Sequence, residues 1–453
     1  MKKMNRRQFM ANTGAAAGGA LLLGSASVKA ATRSSKRLRV ALVGTGVRGC
    51  SLWGRNLVEN YSDYVQMVGL CDHNPGRVNY AKQYIGCDCP VFTDLEELVR
   101  KQKPETLIVT TEDSAHHKII VRGLELGCNI ITEKPLTIDE KKAQAIIDAE
   151  RKSGKNVIVT FNYRYPPYRA KIKELLMQGL VGEITSAEFQ YYLSDGHLAE
   201  YMRRWHGEAC RGGTLWVHKG THHFDMANWF IDSEPKEVFA YATLERFGSN
   251  GAFRGKSCRN CAHSGKCAYF WDITKKEHLY NLYTKNEQYD GYVRDNCVFR
   301  HQIDIFSKHS AVIKYANGVY LNYSLTGDSD YEGYWIAFNG TRGRLEARIE
   351  GFGSKEYNEL VFIPNSRFSD KPAQIIKAEH QPGGHWGGDP IMLDKIFVHP
   401  DKPDPLGQQA GVRDGVMSIL IGIAARTSVY TGKPVNIADL TDLTPMAKRP
   451  VKS

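Results

Sequence analysis

Apolar and polar positions follow two regimes along the chain. Over residues 38–160, short apolar runs alternate with stretches of helical period. The runs at 39–43, 65–71, 106–110, 129–132 and 156–161 predict strands. The stretches at 49–60, 75–86, 94–101, 116–126 and 138–153 predict helices. That alternation predicts a doubly wound parallel sheet, whose ligands sit at the carboxyl ends of its strands. A crossover helix is predicted at 168–176. From Glu183 the pattern becomes long apolar/polar alternation, as at 184–193, which predicts a largely antiparallel sheet. Ala316-Asn317-Gly318 reads as a hairpin turn between strands at 311–315 and 319–324. Further strands are predicted at 335–338, 344–349 and 359–363, and closing helices at 389–398 and 409–430. The chain therefore divides into a first α/β domain, residues 36–160, and a second α/β domain with an open sheet, residues 161–445.

The first strand runs into Gly44-Thr45-Gly46-Val47-Arg48-Gly49, the G-x-G-x-x-G spacing of a dinucleotide-binding turn. The first glycine permits a sharp turn, the second lets backbone approach a pyrophosphate, and the third lets helix and strand pack closely. Asp72 ends the next strand, where an acid meets a ribose 2′-hydroxyl. It favours NAD over NADP, because a carboxylate repels a 2′-phosphate, and nearby Arg77 softens that preference. The cofactor surface is expected to use Gly44, Gly46, Val47, Arg48, Gly49, Asp72, Arg77, Thr111, His116, Glu133, Lys134, Asn162 and Arg164.

The 453 residues suit two domains, and 42% hydrophobic content suits a soluble enzyme. Asn5-Arg6-Arg7-Gln8-Phe9-Met10 is a twin-arginine pattern, followed by an Ala/Gly-rich run and the small residues of Val28-Lys29-Ala30. Residues 1–30 are read as a signal removed on export in the folded state, so the protein is expected in the periplasm. The run is too short and glycine-rich for a membrane anchor. Cofactor would then be loaded before export and held tightly. Of the net +11, Lys2, Lys3, Arg6, Arg7 and Lys29 supply five positives, leaving about +6. No basic block interleaved with aromatics argues for nucleic acid.

Two later stretches carry candidate chemistry. Pro135 stiffens the exit of the strand before Glu133-Lys134, on the cofactor rim. In the run from Gly212 to Trp229, read as one helix, His218, His222, Asp225 and Trp229 share a face. Histidine can take the proton from a sugar hydroxyl as hydride leaves, and a nearby lysine can hold the developing charge. Tyr163, Asp225 and His385, the last in Gly383-Gly384-His385-Trp386-Gly387-Gly388-Asp389, are candidate substrate contacts.

Together the glycine turn, Glu133-Lys134-Pro135 and the G-G…G-x-H-x-x-D run from Gly212 to Asp225 resemble the Gfo/Idh/MocA oxidoreductases. The resemblance implies a Rossmann domain, a second α/β domain with an open, mainly antiparallel sheet, and bound NAD(P) exchanging hydride with a sugar or cyclitol carbon. Lys134 matches the family's catalytic lysine and His222 its acid–base histidine. The family often has Asp four residues before that histidine; here His218 stands there, as a third candidate catalytic residue. The chain is also similar to NAD-dependent glycosidases of this fold, in which carbon 3 is transiently oxidised and the aglycone eliminated. Members often pair through the open sheet face, so a homo-dimer or tetramer is expected. A non-catalytic nucleotide-binding sensor is the alternative of another class.

Ten cysteines occur, and Cys258, Cys261, Cys267 and Cys297 cluster in a polar loop spanning 254–300. A loop with little core of its own needs a staple, and the C-x-x-C-x5-C spacing predicts structural zinc or an iron–sulfur cluster, with a disulfide as the alternative.

Overall fold

A computed structural model describes residues 36–350, 359–379 and 381–450. The expected export signal lies outside these residues. The first domain is a six-stranded sheet of β1 (Leu38–Val43), β2 (Val65–Cys71), β3 (Val91–Phe92), β4 (Thr106–Val109), β5 (Asn129–Thr132) and β6 (Val157–Val159). Every pairing is parallel, in the order β3-β2-β1-β4-β5-β6. The strands are short and apolar because helices cover both faces; Val40, Ala41 and Leu42 are fully buried. Neighbours β2 and β4 leave β1 in opposite directions, which opens a crevice at the carboxyl ends.

Local chemistry sets the helix limits. Asn74 accepts from the Arg77 amide to start the helix Pro75–Ile85, and Gly86 ends it at φ +73°. Asp94 and Asp139 start Leu95–Gln102 and Glu140–Ser153 in the same way. The helix after the glycine turn begins as a wider coil over Gly49–Arg55 and tightens over Asn56–Asn60.

The second domain holds nine strands: β7 (Ile184–Ser194), β8 (Pro235–Thr243), β9 (Lys308–Tyr315), β10 (Tyr320–Ser329), β11 (Gly333–Gly340), β12 (Gly343–Glu350), β13 (Glu359–Pro364), β14 (Gln374–Lys377) and β15 (Val435–Asn436). Their order is β14-β13-β12-β11-β7-β10-β9-β8-β15. Among the described strands of this sheet only β7 and β10 pair in parallel, so the sheet is mixed and mostly antiparallel. His309, Ala311, Ile313 and Tyr315 are buried on one face of β9, while Lys308, Ser310 and Val312 are exposed on the other. The helices Gly220–Ile231 and Val412–Thr431 cover the buried face. Gly422 lets Val412–Thr431 approach the short helix Leu215–His218 closely: an added Cβ there would lie 2.5 Å from the Trp216 carbonyl oxygen.

Candidate active site

A cavity of about 1390 Å3 lies where the carboxyl ends of β1, β2, β4 and β5 face the second domain. It exceeds the ~300–1,000 Å3 usual for a single small ligand, so cofactor and substrate fit side by side.

At one end is the glycine turn. Gly44 has φ +94°, and a Cβ on it would stand 2.6 Å from the Thr111 amide nitrogen. A Cβ on Gly49 would stand 2.2 Å from the Gly44 carbonyl oxygen, so helix and turn touch as the motif requires. Thr45 donates from its amide and its hydroxyl to Asp72 Oδ2, at 2.8 and 3.0 Å, which ties the turn to the end of β2. A Cβ on Gly46 would meet only the Tyr283 hydroxyl, at 3.2 Å. This cradle, with an acid at the ribose position, fits NAD. Thr111 and His116 line the same wall, and both ring nitrogens of His116 face backbone oxygens, of Pro135 at 2.8 Å and Thr111 at 3.1 Å.

The middle of the cavity holds the candidate acid–base groups. Lys134 donates to the His218 carbonyl oxygen at 3.1 Å. Burial pushes the Lys134 ammonium down to about 8, against the pull of Asp113 and Glu133. His218 Nδ1 lies 2.6 Å from Asp113 Oδ2. Burial pushes this carboxyl up and this imidazole down. His222 stacks on Tyr163 with ring centroids 4.0 Å apart, and its Nδ1 is buried with no protein partner. Burial also holds its imidazole well below the usual range, with Lys134 and Lys219 adding to the effect.

Arg48 joins the two domains. Its Nε donates to Glu133 at 2.7 Å, and its two terminal nitrogens grip Asp389 at 2.9 and 3.0 Å. Asn162 and His385 also bond Asp389, at 2.7 and 2.9 Å. Burial works against the Asp389 charge, yet the bonds from His385 and Arg48 outweigh it and hold the carboxyl well below the usual carboxylate range. Trp53 closes the web by donating to Glu133 at 2.8 Å.

Three expectations need correction. Arg164 and Asp225 do not line the cavity. Arg164 is fully buried and grips Asp225 through two nitrogens at 2.8 and 2.5 Å, with Asp414 at 3.0 Å. It is spent on joining two helices of the second domain to the 162–164 turn. The histidine run is also not one helix. Leu215–His218 and Gly220–Ile231 are separated at Lys219, so His218 turns to Asp113 while Asp225 and Trp229 point into the core.

The third correction concerns the cysteine loop. Among the described residues, no three ligand-type side chains are placed to hold a metal ion. All four cysteines are free thiols bordering one small pocket walled by Phe253, Tyr269 and Phe270. The loop has a core after all: Phe299 packs on Phe253 and Tyr269 at 5.6 and 5.8 Å between ring centroids. Backbone amides of Gly255 and Phe299 donate to the Cys297 sulfur.

Sequence reasoning missed Asp113, Asp389, Lys219 and Glu332, all on the cavity wall. Glu332 accepts from Tyr191 at 2.8 Å and contacts His197 Nδ1 at 2.8 Å, with Lys219 at 3.6 Å. Burial opposes its charge, yet His197 and Lys219 hold it down at about 2. Asp113 was within reach, as a polar residue just past a strand end; Glu332, between two strands of the second domain, carried no signal.

Fold, glycine turn and acid at the ribose position define an NAD-binding oxidoreductase. The chain belongs to the Gfo/Idh/MocA family: the oxidoreductase NAD-binding Rossmann fold matches residues 38–161, and the family's C-terminal alpha/beta domain matches residues 173–437. YteT of Bacillus subtilis, an oxidoreductase by name, is 33% identical over 430 residues, covering 88% of this chain and 98% of its own. The inositol 2-dehydrogenase/D-chiro-inositol 3-dehydrogenase of Lactiplantibacillus plantarum is 24% identical over 205 residues, 45% of this chain and 55% of its own. D-glucoside 3-dehydrogenase of Escherichia coli is 27% identical over 156 residues, 33% and 42% of the two chains. The match thus spans about half of such dehydrogenases or less. In fold, the chain is similar to levoglucosan dehydrogenase in complex with NADH and levoglucosan, at TM-score 0.63 and 18% identity over 89% of this chain and 100% of that one.

Proposed function

We propose that this oxidoreductase moves hydride between NAD and a ring carbon of a sugar or glycoside, carbon 3 of a glycoside being the favoured position. The observation that carries this reading is the convergence of Lys134, His218, His222 and Tyr163 on one cavity beside the cofactor turn. NAD, when bound, supplies the hydride acceptor. His222 takes the hydroxyl proton, for which its free Nδ1 and depressed basicity suit a group that is neutral before the step. Lys134 holds the reacting oxygen and stabilises its charge. The Asp113–His218 hydrogen bond provides a relay next to Lys134. Tyr163, stacked on His222, and His385 border the place for the sugar. The names of the relatives, for inositols, a glucoside and levoglucosan, support a cyclic polyol substrate.

The reading includes export through the twin-arginine signal with NAD already bound, and a homo-oligomer assembled on the open sheet face. Purified protein, without added nucleotide, is to be mixed with nitrophenyl glycosides and the matching free sugars while its absorption is followed. A stable rise near ~340 nm, the reduced-nicotinamide band, without nitrophenol release is the expected result. Continuous nitrophenol release with no lasting rise would instead reveal a redox-neutral glycosidase. Neither signal, with no nucleotide retained, would leave a binding protein without turnover.

A further inference from the structure

Arg77 lies where a guanidinium lets a dinucleotide site accept the 2′-phosphate of NADP. In this structure that guanidinium is already engaged from two sides. Its Nη1 lies 3.3 Å from Asp72 Oδ1, and its Nη2 lies 2.5 Å from Asp290 Oδ2. Both Arg77 and Asp290 are only 9% exposed, so the pair is sheltered from salt. Asp290 comes from far along the chain, within the cysteine loop, in the segment between Cys267 and Cys297. That segment is fastened onto the first domain. The Asn286 carbonyl accepts from Asn74 Nδ2 at 2.9 Å, and a Cβ on Gly76 would overlap Asn286 Oδ1, at 2.0 Å. The Tyr283 ring lies under the Arg77 guanidinium at 5.5 Å. The Tyr292 amide fixes the Asp290 carboxylate from behind at 3.1 Å.

We infer that Asp290 is a specificity-determining residue, which withdraws Arg77 from any 2′-phosphate and so makes the site select NAD over NADP. The inference goes beyond the family assignment, since Asp72 alone engages only one side of the Arg77 guanidinium. With Asp290 present, two carboxylates surround one guanidinium at the ribose end, and all three line the cavity. A 2′-phosphate arriving there must break a charge-assisted bond and then lie beside two like charges.

The test is direct binding, with NADH and NADPH titrated into the full-length protein and nicotinamide fluorescence as the readout. Asp290→Asn keeps the shape and removes the charge. It is expected to lower the NADH preference, measured as the ratio of the two Kd values, by about tenfold or more, mainly through tighter NADPH. Adding Arg77→Met to that variant should abolish the NADPH gain. A ratio unchanged in Asp290→Asn overturns the inference, while failure of both nucleotides to bind the unaltered protein once retained NAD has been removed overturns the cofactor site itself. Should Asp290→Asn not fold, Arg77→Met alone decides. It should leave NADPH affinity within about twofold of the parent, and a tenfold loss would mean that Arg77 already serves the phosphate.

Discussion

Asp113 and His218 meet at 2.6 Å across the domain junction, the carboxylate from the loop after β4 and the imidazole from a helix of the second domain. The acid that family members carry one helical turn before the acid–base histidine is thus supplied here from the other domain. It meets a different imidazole, at the position the family's aspartate often fills.

Replacing this acid tests the relay. Asp113→Asn preserves the shape but removes one titrating group. It should lower kcat by roughly tenfold or more, within the ~10²–10⁴ that a positioned acid–base group contributes. One ionisation should also disappear from the pH profile of kcat/KM, while NADH affinity measured by fluorescence stays level. An unaltered pH profile would assign the pair a purely structural part.

Lys134 sets activity against stability. Its ammonium titrates at about 8 when folded and at 10.5 in the free amino acid, so folding at pH 7 holds a charge in a place that disfavours it. The unfolded chain binds the proton more tightly, and stability therefore rises with pH between those two values. Lys134→Met should cost nearly all turnover yet raise unfolding free energy at pH 7, on the order of 1 kcal/mol once screening by cavity water is allowed for. That gain should fade above about pH 10, where the parent lysine is neutral in both states. Parallel melting curves across pH would check it.

Tyr283 accepts the Val47 amide hydrogen at 3.0 Å, at the mouth of the glycine turn. Its phenol is placed to meet an anion brought to that amide. Tyr283→Phe should speed NADH release about fivefold, the equivalent of one ordinary hydrogen bond of ~1 kcal/mol. Release timed after dilution into excess NAD would show no change if the ring only fills space.

Asp389 contributes through its bonds to Arg48, Asn162 and His385. Because its folded carboxyl is held below the ordinary range, its contribution is present above the unfolded value near 4 and is lost as pH falls below it. Asp389→Asn should cost about 1–3 kcal/mol at pH 7, since Arg48 is 32% exposed and partly screened. The deficit should begin to shrink below about pH 4 and go on shrinking as the pH of the melts is lowered further.

The first domain was legible because its signals are local. Buried strands read as apolar runs, and Asn74, Asp94 and Asp139 mark the helix starts they cap. The strand β3 escaped notice because two residues form no pattern. Lys134, His218 and His222 stand in readable motifs, and all three line the cavity together with Tyr163. Arg164 and Asp225 were misplaced because a charged residue near a motif looks the same whether it meets a ligand or a buried partner. Their pairing, like that of Arg77 with Asp290, joins residues far apart in the chain, and no periodicity reports such a meeting. The cysteine loop misled for a related reason: Phe253, Tyr269 and Phe299 are scattered in sequence yet gather into a core.

The grip of Arg48 on Asp389 has a consequence for building chimeras. Exchanging nucleotide domains between relatives is an obvious way to alter cofactor choice while keeping substrate choice. Here a graft ending anywhere between the two domains would part Arg48 from the carboxylate that it shares with Asn162 and His385. A transplanted domain would have to bring an arginine at that position, or the recipient would have to give up its aspartate in the same step.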